Sequence, residues 1–133
     1  MKIYLDACYI IYLLEGTEEF QKKAKEKFLE YVDEKSIVYS SHLSKLECLV
    51  KPTRDKDEET IKLYQSFFSS TGFQFIPISE EVIDTATDLR ATYNFKTPDS
   101  IHLASAISVN ADIFLTGDGK LKACSEIKVD SLE

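Results

Sequence analysis

The chain has 133 residues, 44% hydrophobic and 29% charged, which suits one ordinary globular domain with one core and leaves no room for two. Its formal net charge of -7 argues against the basic balance by which nucleic-acid binders gain much of their affinity, unless the acids gather round divalent cations that invert the local sign. No apolar run approaches a membrane span and no apolar leader with a basic flank opens the chain; Cys8, Cys48 and Cys124, with no C-x-x-C pair among them, read as small core hydrophobes in a reducing cytosol.

Lys2 to Asp6 is a short apolar, β-rich run that ends in an acid and predicts a buried strand. Ala7 to Leu14 predicts a short helix that stops at Gly16. Thr17 to Glu34 predicts an amphipathic helix, with Thr17 as N-cap, Glu18 and Glu19 in the first turn, and an apolar stripe of Phe20, Ala24, Phe28 and Tyr31. Ser36 to Ser41 predicts a second strand, and His42 to Val50 a helix closed by Pro52. Lys51 to Glu59 is the most polar stretch and predicts an exposed connection, followed by a helix over Thr60 to Ser70.

Phe73 to Ile78 predicts a third strand, and Ser79 caps a helix that runs to about Tyr93. Thr97, as cap, and Pro98, at the first helical position, open a helix that continues to about Val109. Asp112 to Thr116 predicts a fourth strand, Gly117-Asp118-Gly119 a turn, and Ile127 to Leu132 a last strand. Alternation of this kind implies an α/β fold: a central parallel sheet of four to five strands covered by helices on both faces, with residues 1–133 as a single domain. In such sheets ligands sit outside the carboxyl ends of the strands.

Four acids stand out in this arrangement. Asp6 closes the first strand at the ligand edge, or caps the following helix. Glu47 falls on the stripe marked by Leu43, Leu46 and Val50, flanked by core-facing leucines, so its carboxylate calls for a lysine, an arginine or a metal ion. Asp99 lies in the first turn of its helix, where the dipole alone favours an acid, and Asp118 lies in a turn directly after a buried strand. Together they set three acids at one sheet edge and a fourth on a nearby helix. Hard divalent cations take carboxylate oxygens, and two ions about 3.5–4 Å apart can clamp the attacking and leaving oxygens of a phosphodiester. No nucleophilic triad, P-loop or dinucleotide turn competes with this set.

The run Ile3-Tyr4-Leu5-Asp6, the helix around Leu46-Glu47, the segment Thr97 to Ala106 and the block Ala111 to Asp118 together resemble a PIN domain, and within that family the VapC toxins of toxin–antitoxin pairs. The resemblance spans essentially the whole chain and implies a three-layer α/β/α fold. It also implies that Asp6, Glu47, Asp99 and Asp118 form an acidic quartet that binds Mg²⁺ or Mn²⁺ and is catalytic, with Thr116 as a supporting hydroxyl. It further implies a cytoplasmic homodimer that hydrolyses RNA and is silenced by a cognate antitoxin. One departure is that Ala7 and Cys8 follow the first aspartate where the family usually has serine, threonine or asparagine.

The remaining candidates read more plainly. His102 and His42 read as structural or hydrogen-bonded histidines, and Cys8 as packing. Lys51, Arg54 and Lys56, and Arg90 with Lys96, are either solvated surface or receivers of RNA phosphate. Two rival functions remain: a non-catalytic PIN-like module that binds RNA or protein, and a receiver-like signalling domain. The receiver reading fits poorly, because such domains want paired acids after the first strand.

Overall fold

The computed structural model describes residues 1–133. In chain order the elements are β1 (Lys2–Leu5), α1 (Ala7–Glu15), α2 (Glu18–Tyr31), β2 (Ile37–Ser41), α3 (His42–Arg54), α4 (Glu58–Phe68), β3 (Phe73–Ile76), α5 (Glu80–Tyr93), α6 (Thr97–Ser108), β4 (Ile113–Thr116), a 3₁₀ turn (Gly119–Ala123) and β5 (Val129–Ser131). The five strands form one all-parallel sheet in the order β3-β2-β1-β4-β5.

The pleat sorts the core. Ile3 and Leu5 point to one face, where they join Ile113 and Leu115 beneath α1, α2, α3 and α4 through Ile10, Ala24, Cys48 and Tyr64. Tyr4, Tyr39 and Phe114 point to the other, against Val82, Ala86 and Leu89 of α5 and Leu103 and Ala106 of α6. Because both faces are covered, the central strands read as continuous apolar runs. Ile3, Tyr4 and Leu5 are wholly buried, each burial being worth about 1.5–3 kcal/mol for an aliphatic side chain. The result is a three-layer α/β/α architecture. None of its helices is long and apolar enough to cross a membrane.

Side-chain caps start most of the helices: Asp6, Thr17, Ser41, Asp57 and Ser79 each accept a backbone N–H from the first turn. α6 differs from expectation, since Lys96 is its N-cap residue with no side-chain cap and Thr97 is already helical. α3 runs through Pro52 to Arg54. Pro52 removes the one bond its N–H would give to the Cys48 carbonyl, the helical pattern continues beyond it with the Asp55 N–H on the Lys51 carbonyl, and the ring is buried. The expected polar connection therefore shrinks to Asp55–Asp57, with α4 starting at Glu58.

The stripe read on α3 also needs correction. Leu46 and Val50 are 64% and 54% exposed, and the buried positions are Ser44, Cys48 and Pro52. Apolar residues at helical spacing marked a face, but the face that packs is the one carrying the small side chains, which let α3 approach α1 and the sheet. Phe20, likewise expected on a buried stripe, is 39% exposed.

Strand order reverses between β1 and β4, because the chain winds outward through β2 and β3 before returning to β1's other side. A crevice opens outside the carboxyl ends of strands at such a switch point.

Candidate metal centre

Asp6 follows β1 directly and Thr116 ends β4, so the two meet where the strand order reverses. The Asp6 carboxylate is 3% exposed. It accepts the Tyr9 N–H through Oδ1 at 2.8 Å and the Thr116 hydroxyl through Oδ2 at 2.5 Å. The same hydroxyl oxygen accepts the Asp118 N–H at 3.0 Å. Thr116 thus ties the first acid to the last across the switch point. Asp6 caps α1 through one carboxylate oxygen and meets Thr116 through the other. Asp118 is the N-cap of the 3₁₀ turn and accepts the Lys120 N–H.

Glu47 reaches the same region from α3, but with a partner that the sequence pattern does not assign. His102 Nε2 lies 2.7 Å from Glu47 Oε1, and His102 Nδ1 lies 2.7 Å from the Tyr4 hydroxyl. His102 is 2% exposed, and the Glu47 side chain 30%. The sequence pattern alone makes His102 structural; the usable signal is its position three residues after Asp99, on the same helical face. Tyr4 is buried on the face of β1 opposite Leu5, and burial followed by the charge of Asp6 holds its phenol well above its ordinary range, so the hydroxyl keeps its proton.

The electrostatics bring the four acids into one neighbourhood. Burial raises the Asp6 carboxyl from 3.8 to about 6, against the lowering pull of His102, Thr116 and Tyr9, and Asp99 raises it further. Asp99 is itself raised, first by burial and then by the charges of Asp118 and Glu47, while His102 and Lys96 pull it down. No lysine or arginine forms an ion pair with any of the four, and the one salt-bridge contact among them is His102–Glu47. Carboxylates that repel one another and have no lysine or arginine partner are a donor set of hard oxygens. As they stand, no three His, Cys, Asp or Glu side chains are grouped closely enough to hold a metal ion. The chemistry of the donors fits Mg²⁺ or Mn²⁺.

The rim is mixed. Cys48 and Cys124 are buried as expected, whereas Cys8 is exposed beside the acids. Partial burial and then the charge of Asp6 push its thiol up to about 12, which removes it as a nucleophile. Arg90 is occupied, its guanidinium donating to the Phe95 carbonyl. Lys96 and Lys120 line a cavity of about 310 Å³ together with Tyr93, Phe95, Asp99 and Asp118. His42 stacks on Phe75 and lies outside the acid group.

A family model described as PIN domain matches residues 3–126. Among solved structures, a toxin–antitoxin complex from Klebsiella pneumoniae is 21% identical, covering 98% of each chain with a TM-score of 0.74. VapBC2 from Rickettsia felis, bound to a DNA fragment from its promoter, is 17% identical over 98% of each chain, with a TM-score of 0.80. VapC20 from Mycobacterium tuberculosis, described as a sarcin–ricin loop cleaving toxin, is 13% identical over 92% of this chain and 95% of its own, with a TM-score of 0.75. At these identities the likeness is one of fold. A search of curated proteins gives no match.

Proposed function

This chain belongs to the PIN domain family, and we propose that it is a divalent-metal-dependent endoribonuclease, the toxin of a type II toxin–antitoxin pair, with residues 1–133 acting as one cytoplasmic nuclease domain. One observation carries the reading: four carboxylates share a neighbourhood at the β1–β4 switch point and no lysine or arginine pairs with any of them. Asp6, Glu47 and Asp99 would hold Mg²⁺ or Mn²⁺, and Asp118 would orient the attacking water or complete a second site. When bound, the cation lowers the pKa of water and neutralises charge on the scissile phosphate. Thr116 keeps Asp6 and Asp118 in mutual register through its single hydroxyl. Lys96 and Lys120 are placed to meet the phosphates that flank the cleaved bond. The products would carry 5′-phosphate and 3′-hydroxyl ends.

The antitoxin partner is supported by the family and by similar structures that are themselves toxin–antitoxin complexes. A homodimer is proposed on the family's pattern. Apolar surface for partner contacts exists on α3, where Leu46, Leu49 and Val50 line an open groove of about 630 Å³. The test is cleavage of a folded RNA in Mg²⁺ or Mn²⁺, with EDTA as control. Wild type should cut, and Asp6→Asn should fall to background; equal cutting by both would remove Asp6 from the chemistry. Ala7 and Cys8, in place of the hydroxyl or amide residues usual after the first aspartate, favour a second reading as a non-catalytic RNA- or protein-binding module. Calorimetry separates the two, because only the nuclease needs a divalent cation.

A further inference from the structure

A continuous polar path runs from the start of α3, through the core, back to the middle of α3. The Ser41 N–H donates to the Tyr4 hydroxyl at 3.0 Å, Tyr4 meets His102 Nδ1 at 2.7 Å, and His102 Nε2 meets Glu47 Oε1 at 2.7 Å. The path crosses three elements: β1 supplies Tyr4, α6 supplies His102, and α3 and its cap supply both ends. We propose that His102 is a positioning residue for Glu47, holding its carboxylate toward Asp99 by an Nε2–H···Oε1 hydrogen bond, with Tyr4 fixing the ring at Nδ1. This role rests on the metal-site reading above.

The direction follows from donors and acceptors. A backbone N–H can only donate, so the Tyr4 oxygen accepts from Ser41 and its own proton is free to point at Nδ1. On the other side the Glu47 carboxylate can only accept, so the ring proton facing it sits on Nε2, and in the neutral ring Nδ1 accepts from Tyr4. The path is satisfied throughout, and no buried side-chain polar atom in the protein lacks a partner.

What the histidine adds is order. The Glu47 side chain is 30% exposed, on a helix whose neighbouring Leu46 and Val50 face solvent. Fixing a glutamate side chain costs rotamer entropy, so without a fixed donor Glu47 would spend much of its time in water. His102 is buried and fixed at both ring nitrogens, which makes it a rigid donor.

A merely structural histidine, serving only to satisfy Tyr4, is separable by experiment. In His102→Asn the amide takes the place of Nδ1 and keeps the bond to Tyr4 but not the one to Glu47. In His102→Gln the amide reaches the place of Nε2 and keeps the bond to Glu47. Mn²⁺ affinity is measured by calorimetry without RNA, alongside thermal unfolding. Positioning predicts a Kd roughly 10- to 100-fold weaker in His102→Asn, with His102→Gln close to wild type. Equal affinity in all three proteins, or equal weakening in both variants, overturns the proposal. If wild type itself binds no Mn²⁺, the metal-site reading fails instead. A readout free of any variant comes from the ¹⁵N spectrum of the imidazoles, since the chain has only two histidines. Wild type should show His102 protonated on Nε2 and bare on Nδ1; the opposite tautomer would overturn the proposal even if the variants do not fold.

Discussion

Asp6 is where function works against stability. Its carboxyl is raised from 3.8 in an unfolded chain to about 6 in the fold. Between those values the folded protein keeps a proton that the unfolded chain has released, so stability falls as pH rises through the window and the full penalty stands above it. The size is about 3 kcal/mol. The metal-free protein should therefore unfold at a higher temperature at pH 5 than at pH 7.5. Asp6→Asn, which keeps a capping oxygen for the Tyr9 N–H, should raise the metal-free Tm at pH 7.5 and flatten that pH dependence. A variant with the wild-type Tm and the wild-type pH slope would show that burial of this charge costs nothing. At this scale the positions of Asp6, Asp99 and Asp118 were legible in the sequence, because strand ends and helix starts are marked by residue type, whereas Glu47 was reached through a stripe that turns out to be exposed. His102 and Tyr4 were not: a histidine and a tyrosine on apolar faces look like packing, and only the folded chain shows that their polar atoms meet each other and Glu47.

Between elements, the tightest constraint is where α1 passes the end of β4. A Cβ built on Gly117 would lie 2.6 Å from a Tyr12 ring carbon and 2.7 Å from the Cys8 sulfur. Gly117 also separates Thr116 from Asp118, so a backbone shift that relieves the clash displaces the last acid, whereas a turn of the Tyr12 and Cys8 side chains does not. Gly117→Ala should cost about 1 kcal/mol by overpacking and, where the backbone yields, weaken Mn²⁺ binding. An unchanged Tm and Kd would mean that α1 yields freely. Helix starts were readable from their capping residues, as α2 and α5 show, because the cap is local chemistry. The end of α3 was not, since Pro52 breaks a helix only where the missing hydrogen bond matters. Nor was its packed face, because Ser44 and Cys48 are chosen for closeness to α1 and the sheet rather than for hydrophobicity.

Across the whole molecule, the charge of -7 and the proposed RNA substrate would be reconciled locally. Lys96 and Lys120 form no ion pair and share a cavity wall with Asp99 and Asp118. Replacing both with alanine should raise KM for RNA with little change in kcat. The slope of log affinity against log salt should fall by about one for each phosphate no longer neutralised. A lower kcat at constant KM would place the lysines in the chemistry instead. The parallel α/β architecture was legible from alternation, since a parallel neighbour needs a crossover, usually a helix, to return the chain; only β4 to β5 makes it through a 3₁₀ turn. The strand order was not, because nothing local says on which side of β1 the fourth strand will dock. That docking joins Asp6 to Thr116 across 110 residues, so a ribosome-bound nascent chain cannot bring the two together until β4 has emerged.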